Sequence, residues 1–368
     1  MRTFTCDHCG HLVFFENTLC VQCGSALAFV PELMRIAALK PSAMLEGVWE
    51  LAGSLPEHGM QPLRMCSNRT YAGAACNFTT DADGSQPYCI SCRQTRWLPN
   101  FSNPLNVLRA SKVESAKRYL FYTLACLQLT SLNGRPAPIF DFLEDQPGQD
   151  PIMTGHLSGT ITLNVAEADD DERARRRLAM FEPYRTLLGH LRHESGHFYW
   201  DVLIHDSQWL QPFRDLFGDE RTDYGQALQT HYTLGPAGPK DWQTQHVSAY
   251  ATAHPWEDWA ETWAHYLHVM DLMETAASYR VQLRLPGHMA SWPPIEDPFA
   301  DPNISFERIL QQCVPLTLML NSLTRSLGQN DAYPFALSSG ATTKLSFIHK
   351  VVTAHRRTAA SSSFAASA

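Results

Sequence analysis

The chain has 368 residues, 44% of them hydrophobic, and a formal charge of -8 at pH 7. That length can bury at least one large core and suggests two or three domains. Acidic and basic residues are interspersed, so electrostatics give no reason to expect nucleic acid or an anionic membrane surface as the main partner.

The opening Met1-Arg2-Thr3-Phe4-Thr5-Cys6 lacks the apolar core of a secretory signal, and no apolar run approaches the roughly 18 residues of a membrane span. A cytoplasmic protein is therefore expected. Eight of the ten cysteines lie before residue 93, and in a reducing compartment they read as metal ligands rather than disulfides. Cys6-Asp7-His8-Cys9 and Cys20-Val21-Gln22-Cys23 are two CxxC knuckles whose four thiolates would close the shell of a structural zinc. Cys66, Cys76, Cys89 and Cys92 contain one CxxC and two spaced cysteines; with the turn Asp83-Gly84-Ser85 between them they suggest a second structural zinc. Cys126 and Cys313 stand alone and read as small buried hydrophobes. Residues 1–98 thus form a cysteine-rich region, with Pro99 and Pro104 marking its end. Arg2 is the only Lys or Arg in residues 1–30, which argues against a phosphate-binding module.

Residues 105–130 carry apolar positions at helical spacing, ended by Gly134-Arg135-Pro136. Gly155 to Val165 alternates and is rich in Thr, Ile and Val, as a half-exposed strand should be, with His156 facing solvent. After the charged run Asp169 to Arg177, Pro183 stands near the start of a helix reaching about Ile204. A surface loop at Gly235-Pro236-Ala237-Gly238-Pro239 precedes a helix opened by Pro255. A proline-rich loop at 286–302 leads to a helix near 304–327, and Thr358 begins a Ser/Ala-rich tail, 358–368, expected to be disordered. Residues 99–357 form the second domain.

His193-Glu194-Ser195-Gly196-His197 lies on the helix after Pro183. Residues four apart share a helix face, so His193 and His197 can offer two imidazole nitrogens to one ion. Glu194 is placed to take a proton from water at the open coordination position as general base. His190 reads as a structural or outer neighbour. A catalytic zinc needs a third ligand from elsewhere. Glu257 and Glu261, four apart among Trp256, Trp259, Trp263 and Tyr266, supply two carboxylates; Glu257 is assigned to the metal and Glu261 to a hydrogen bond with a ligand imidazole. Asp223, within GDERTDY, is the alternative ligand, and its competing role is a helix cap.

HExxH followed by a glutamate on a later helix resembles the gluzincin class of metallopeptidases. The block from Tyr250 to Glu261 is similar to the corresponding stretch of anthrax lethal factor, a resemblance that implies a catalytic role for Tyr250 as hydrogen-bond donor to an oxyanion. The whole chain, to about residue 350, resembles a bacterial family of zinc-binding metallopeptidases with an N-terminal zinc-ribbon domain. Matching stretches include CDHCGHLVFFEN, TGHLSGTITLNVAEADD, YRTLLGHLRHESGHFYWD and PWEDWAETWAHYLH. The resemblance implies an α+β chain: zinc-ribbon-like knuckles, then a mostly helical zincin-like domain with a small antiparallel sheet. It further implies one catalytic and two structural zinc ions and a peptide or protein substrate. The strand around Gly155 to Val165 would run beside that substrate, with contact between His156 and the substrate as the alternative to its facing solvent. The rival expectation is a catalytically inert zinc-ribbon protein that acts as a docking adaptor.

Overall fold

The computed structural model describes residues 1–53, 62–81, 83–130, 137–180, 186–235, 239, 241–284, 287 and 293–366. The predicted break at Gly134-Arg135-Pro136, Pro183 and the loop residues Pro236 to Gly238 lie outside them. The chain divides into two units: Met1–Tyr122 with Ile139–Thr154 and Thr162–Ala168, and Thr123–Pro138 with Gly155–Ile161 and Asp169–Ala368.

In the first unit, β1 (Phe4–Thr5) and β2 (Leu12–Val13) form a short antiparallel ladder with Phe4 opposite Val13. Next come β3 (Ala26–Val30), β4 (Arg35–Pro41), β5 (Trp49–Leu51), β6 (Leu63–Met65) and β7 (Thr79–Asp81), side by side in chain order as an antiparallel meander. Successive side chains of a strand point to opposite faces. Ala28 and Val30 accordingly pack with Ala37, Leu39 and Leu63, while Phe29 meets Phe15, Phe78 and Tyr122. Burial on both faces explains why β3 is a continuous apolar run rather than an alternating one. Tyr122 belongs to α1 (Pro104–Cys126).

β8 (Thr95–Trp97) pairs with β9 (Ile139–Leu143) in parallel. That pairing draws residues far beyond 98 into the first unit. The single strand expected over Gly155 to Val165 is two, β10 (Gly155–Leu157) and β11 (Thr160–Asn164), with β11 beside β9. Ser158 and Gly159 between them have φ of 49° and 82°, the paired left-handed conformation of a tight hairpin turn.

The second unit is helical: α2 (Asp170–Met180), α3 (Leu187–Leu203), α4 (Leu210–Phe217), α5 (Tyr224–Leu234), α6 (Pro255–Ser278), α7 (Phe306–Ser326) and α8 (Ser339–Ala366). Two of the helix starts matter most. Thr186 caps α3 by accepting from the Gly189 N–H at 2.9 Å, and His254 caps α6 by accepting from the Trp256 N–H at 3.1 Å, with Pro255 in the first helical position. α3 and α6 cross so closely that a Cβ on Gly196 would lie 2.8 Å from the Ala260 Cα. Trp259 donates to the Gly196 carbonyl at 2.9 Å and Trp263 to the Ser195 hydroxyl at 3.1 Å, so the two residues inside HExxH are fixed by the opposite helix. Tyr199 stacks on Trp263.

α8 is tied to α6 by the buried pair Lys344–Asp258, 2.5 Å apart, and by the buried Leu345, Ile348, Val351 and Val352. The helix continues past Thr358, where a disordered tail was expected; the segment lacks Gly and Pro and is rich in Ala, the best helix former. Cys313 is buried, whereas Cys126 is partly exposed. Among the described residues, no helix is long and apolar enough to cross a membrane.

Candidate metal centres

Gly10 and Gly24, each directly after a CxxC, have φ of 77° and 72°. Their N–H groups return to the carbonyls of Cys6 and Cys20 at 2.7 and 2.9 Å. This left-handed closure, which glycine adopts without strain, turns both thiols of a pair to one side. The sulfurs of Cys6 and Cys23 are 3.8 Å apart, and those of Cys9 and Cys20 are 3.7 Å apart. Four sulfurs at about 2.3 Å from a tetrahedral zinc stand about 3.8 Å from one another, whereas a disulfide requires about 2.05 Å. The donors fit zinc.

In the second group Cys76 and Cys89 have sulfurs 3.6 Å apart. Backbone N–H groups of Cys89, Phe78 and Cys92 donate to the sulfurs of Cys66, Cys76 and Cys89 at 3.3, 3.4 and 3.4 Å, which stabilises thiolates. All four cysteines are buried here, while in the first group Cys9 is exposed and Cys23 partly so.

The third centre joins α3 and α6. His193, His197 and Glu257 are buried and bring ligand atoms within 4.8 Å of one another. His193 Nε2 lies 3.0 Å from Glu257 Oε2, and His197 Nε2 lies 3.6 Å from Glu257 Oε1. Glu257 Oε2 is buried and receives no hydrogen bond, a costly state for a carboxylate oxygen unless a cation faces it. On that evidence the residues fit a divalent metal. The other nitrogen of His193, Nδ1, meets Glu261 Oε1 at 2.7 Å, and the second Glu261 oxygen accepts from Ser248 at 2.6 Å. A carboxylate behind an imidazole orients it toward a metal.

Glu194 is buried beside these groups, with Oε1 3.2 Å from His190 Nε2. Burial alone would raise its carboxyl, but the His190 contact and the nearby His193 and His197 hold it below the usual range. Tyr250 presents its ring 6.1 Å from that of His193 and 5.7 Å from that of His231. Its phenol is pushed well above its ordinary value, first by burial and then by the charge of Glu257, so it remains an O–H donor. His156 does not face solvent as a simple strand residue would. Its ring stacks 6.4 Å from His197, and burial, with His197 second, pushes it down to about 4. Asp223 is apart from the ligand atoms and caps α5, accepting from the Gln226 N–H at 2.8 Å.

A family model described as "Putative zinc-binding metallo-peptidase" matches residues 106–351, and one described as "zinc-ribbon domain" matches residues 3–103. The chain belongs to this zinc-binding metallopeptidase family. Uncharacterized proteins of Mycobacterium bovis and of two strains of Mycobacterium tuberculosis are each 38% identical to it over 357 residues, 96% of this chain and 95% of theirs. No solved structure matches the chain.

Two site residues of this metallopeptidase-family chain escaped the sequence reading. Tyr224 donates its phenol to Glu257 Oε1 at 2.5 Å. It adjoins Asp223, the cap of α5. Ser248 lies 13 residues before Glu261 and no local pattern marks it.

Proposed function

We propose that the chain is a zinc-dependent peptidase in which His193, His197 and Glu257 hold the metal and Glu194 is the general base. The observation that carries this reading is the convergence of three buried ligand atoms within 4.8 Å, with Glu257 Oε2 lacking any hydrogen-bond donor. When bound there, zinc would supply Lewis acidity toward a peptide carbonyl and toward water. Glu194, held ionised by its histidine neighbours, accepts the proton from the attacking water and returns it to the leaving amine. Tyr250, kept protonated, donates to the oxyanion that develops on the carbonyl; its place beside His193 and the similarity to lethal factor support that role. Glu261 and Ser248 hold the imidazole of His193 from behind.

The two four-cysteine groups each hold a structural zinc in this reading, giving three ions per chain and no open position at the cysteines. The substrate is a peptide or protein. Nucleic acid is not expected, given the single basic residue of the first knuckle region, and the compartment proposed is the cytoplasm.

The test is metal content and cleavage together. Wild type should bind three zinc ions and His193→Ala two, and a mixed peptide library should be cut by wild type but not by Glu194→Gln. An unchanged metal count in His193→Ala, or cleavage that survives Glu194→Gln, sinks the assignment. Full metal content with no cleavage of any library by wild type would favour the docking adaptor instead.

A further inference from the structure

We propose that Tyr224 is a positioning residue that decides which oxygen of Glu257 faces the metal, so that the glutamate binds through Oε2 alone. This inference rests on His193, His197 and Glu257 being the ligand set.

The two oxygens of Glu257 have different surroundings. Oε1 accepts from the Tyr224 phenol at 2.5 Å. Oε2 is buried, has no hydrogen-bond donor and lies 3.0 Å from His193 Nε2. A short phenol to carboxylate hydrogen bond is charge-assisted and among the stronger contacts available to a buried carboxylate. It ties up lone-pair density on Oε1 and leaves Oε2 as the oxygen with spare capacity. Without that donor Oε1 regains its free lone-pair density, and the carboxylate can rotate to offer both. A two-oxygen grip would raise coordination above four and crowd the position that a hydrolytic centre keeps for water.

The phenol is placed by the starts of two helices. Asp223 caps α5, fixing its first residue, Tyr224. The Tyr224 ring stands nearly perpendicular to those of His254 and Trp256, with centroids 5.2 and 5.9 Å away. His254 is the cap of α6, and its other ring nitrogen, Nε2, lies 3.2 Å from the Thr222 carbonyl. The segment just before α5 is thereby pinned to the turn that begins α6, two residues ahead of Glu257. Asp223 therefore contributes to the site through its neighbour and not as a ligand.

The experiment uses the full-length zinc-loaded chain and its Tyr224→Phe variant, which removes one oxygen and keeps the ring. Zinc at the third site is titrated against a competing chelator, and the loss expected from removing a ligand's hydrogen-bond partner is about tenfold to a hundredfold in affinity. Zinc is then exchanged for cobalt(II) at that site only, verified as one cobalt and two zinc ions per chain. The visible cobalt band should weaken in Tyr224→Phe as coordination rises above four. Unchanged circular dichroism and two retained zinc ions show that the effect is local. Equal affinity and an identical cobalt spectrum in the two chains would overturn the proposal. His193→Ala separates the two levels of inference. If it loses the third metal while Tyr224→Phe is indistinguishable from wild type, only the role of Tyr224 fails; if it keeps three metals, the ligand set fails and this proposal falls with it.

Discussion

The four-cysteine groups and the histidine–glutamate centre differ in what holds their donors in place. In the first unit the cysteines sit on knuckles and turns between strands of two to seven residues, so local turns, and not a crossing of packed helices, set where the sulfurs stand. In the second unit the donors stand on α3 and α6, whose crossing is filled by the fully buried Trp259, Trp263 and Tyr199. Cross-helix bonds to the backbone and hydroxyl of the HExxH segment add to that packing. A metal in a knuckle substitutes for a core; a metal between packed helices is added to a core that already exists. The same element would therefore be a folding determinant in one unit and a removable reagent in the other.

The largest expected effect tests that contrast directly. Cys89→Ser should abolish one zinc and unfold the turns that carry its site, because structural zinc contributes on the order of 10 kcal/mol where folding is tied to the metal. His197→Ala should also abolish one zinc, yet cost only about 1–3 kcal/mol, as a typical buried truncation does. Hydrogen exchange over residues 1–98 and over α3 and α6 reads both outcomes. Equal unfolding by the two substitutions would erase the distinction. Between the cysteine groups a further ranking follows from exposure. Cys9 is exposed and Cys23 partly so, so a thiol reagent should modify the first group well before the second, with mass spectrometry of the labelled peptides giving the order.

Gly196→Ala comes next. Its Cβ would meet the Ala260 Cα at 2.8 Å and Trp263 side-chain atoms at 3.2 Å, so α3 and α6 must separate. Overpacking of this kind costs about 1–3 kcal/mol, measurable by urea denaturation. Because His193 and His197 are on one helix and Glu257 is on the other, the same displacement should lower metal affinity at the third centre in the folded protein. A stability loss with unchanged affinity would mean that the ligand geometry does not depend on the crossing.

These contrasts also explain what could be read in the sequence. CxxC followed by glycine is a local signal because the turn that joins the two thiols is itself local, with Gly10 and Gly24 supplying the left-handed residues. The His193 and His197 pair was legible for the same reason, being one helical turn apart. Glu257 lay sixty residues further on and was legible only through its unusual setting, two carboxylates amid tryptophans. Tyr224 and Ser248 were not, since each reaches the site through tertiary packing and neither residue type is unusual in a helix start or a loop. The hairpin at Ser158-Gly159 carried its signal in a single glycine that the Thr- and Ile-rich flanks obscured. The parallel pairing of β8 with β9 is set by residues 45 apart, Thr95 and Phe140, and two short strands do not announce their partners.

The smallest effect asks how far the third centre depends on the stability of its own helix. Thr186 is the α3 cap, and its hydroxyl accepts from the Gly189 N–H at 2.9 Å. Thr186→Ala should cost about 1 kcal/mol through the orphaned N–H groups of the first turn. His193 lies nearly two turns beyond, past the region where fraying from a lost cap is felt, and Glu261 grips its Nδ1 at 2.7 Å from α6. Metal affinity should therefore stay within about twofold of wild type while the denaturation midpoint falls, since a 1.4 kcal/mol change at the site itself would already be tenfold. If affinity instead drops in step with stability, the ligands are held by the helix that carries them, and the crossing with α6 is not what organises the centre.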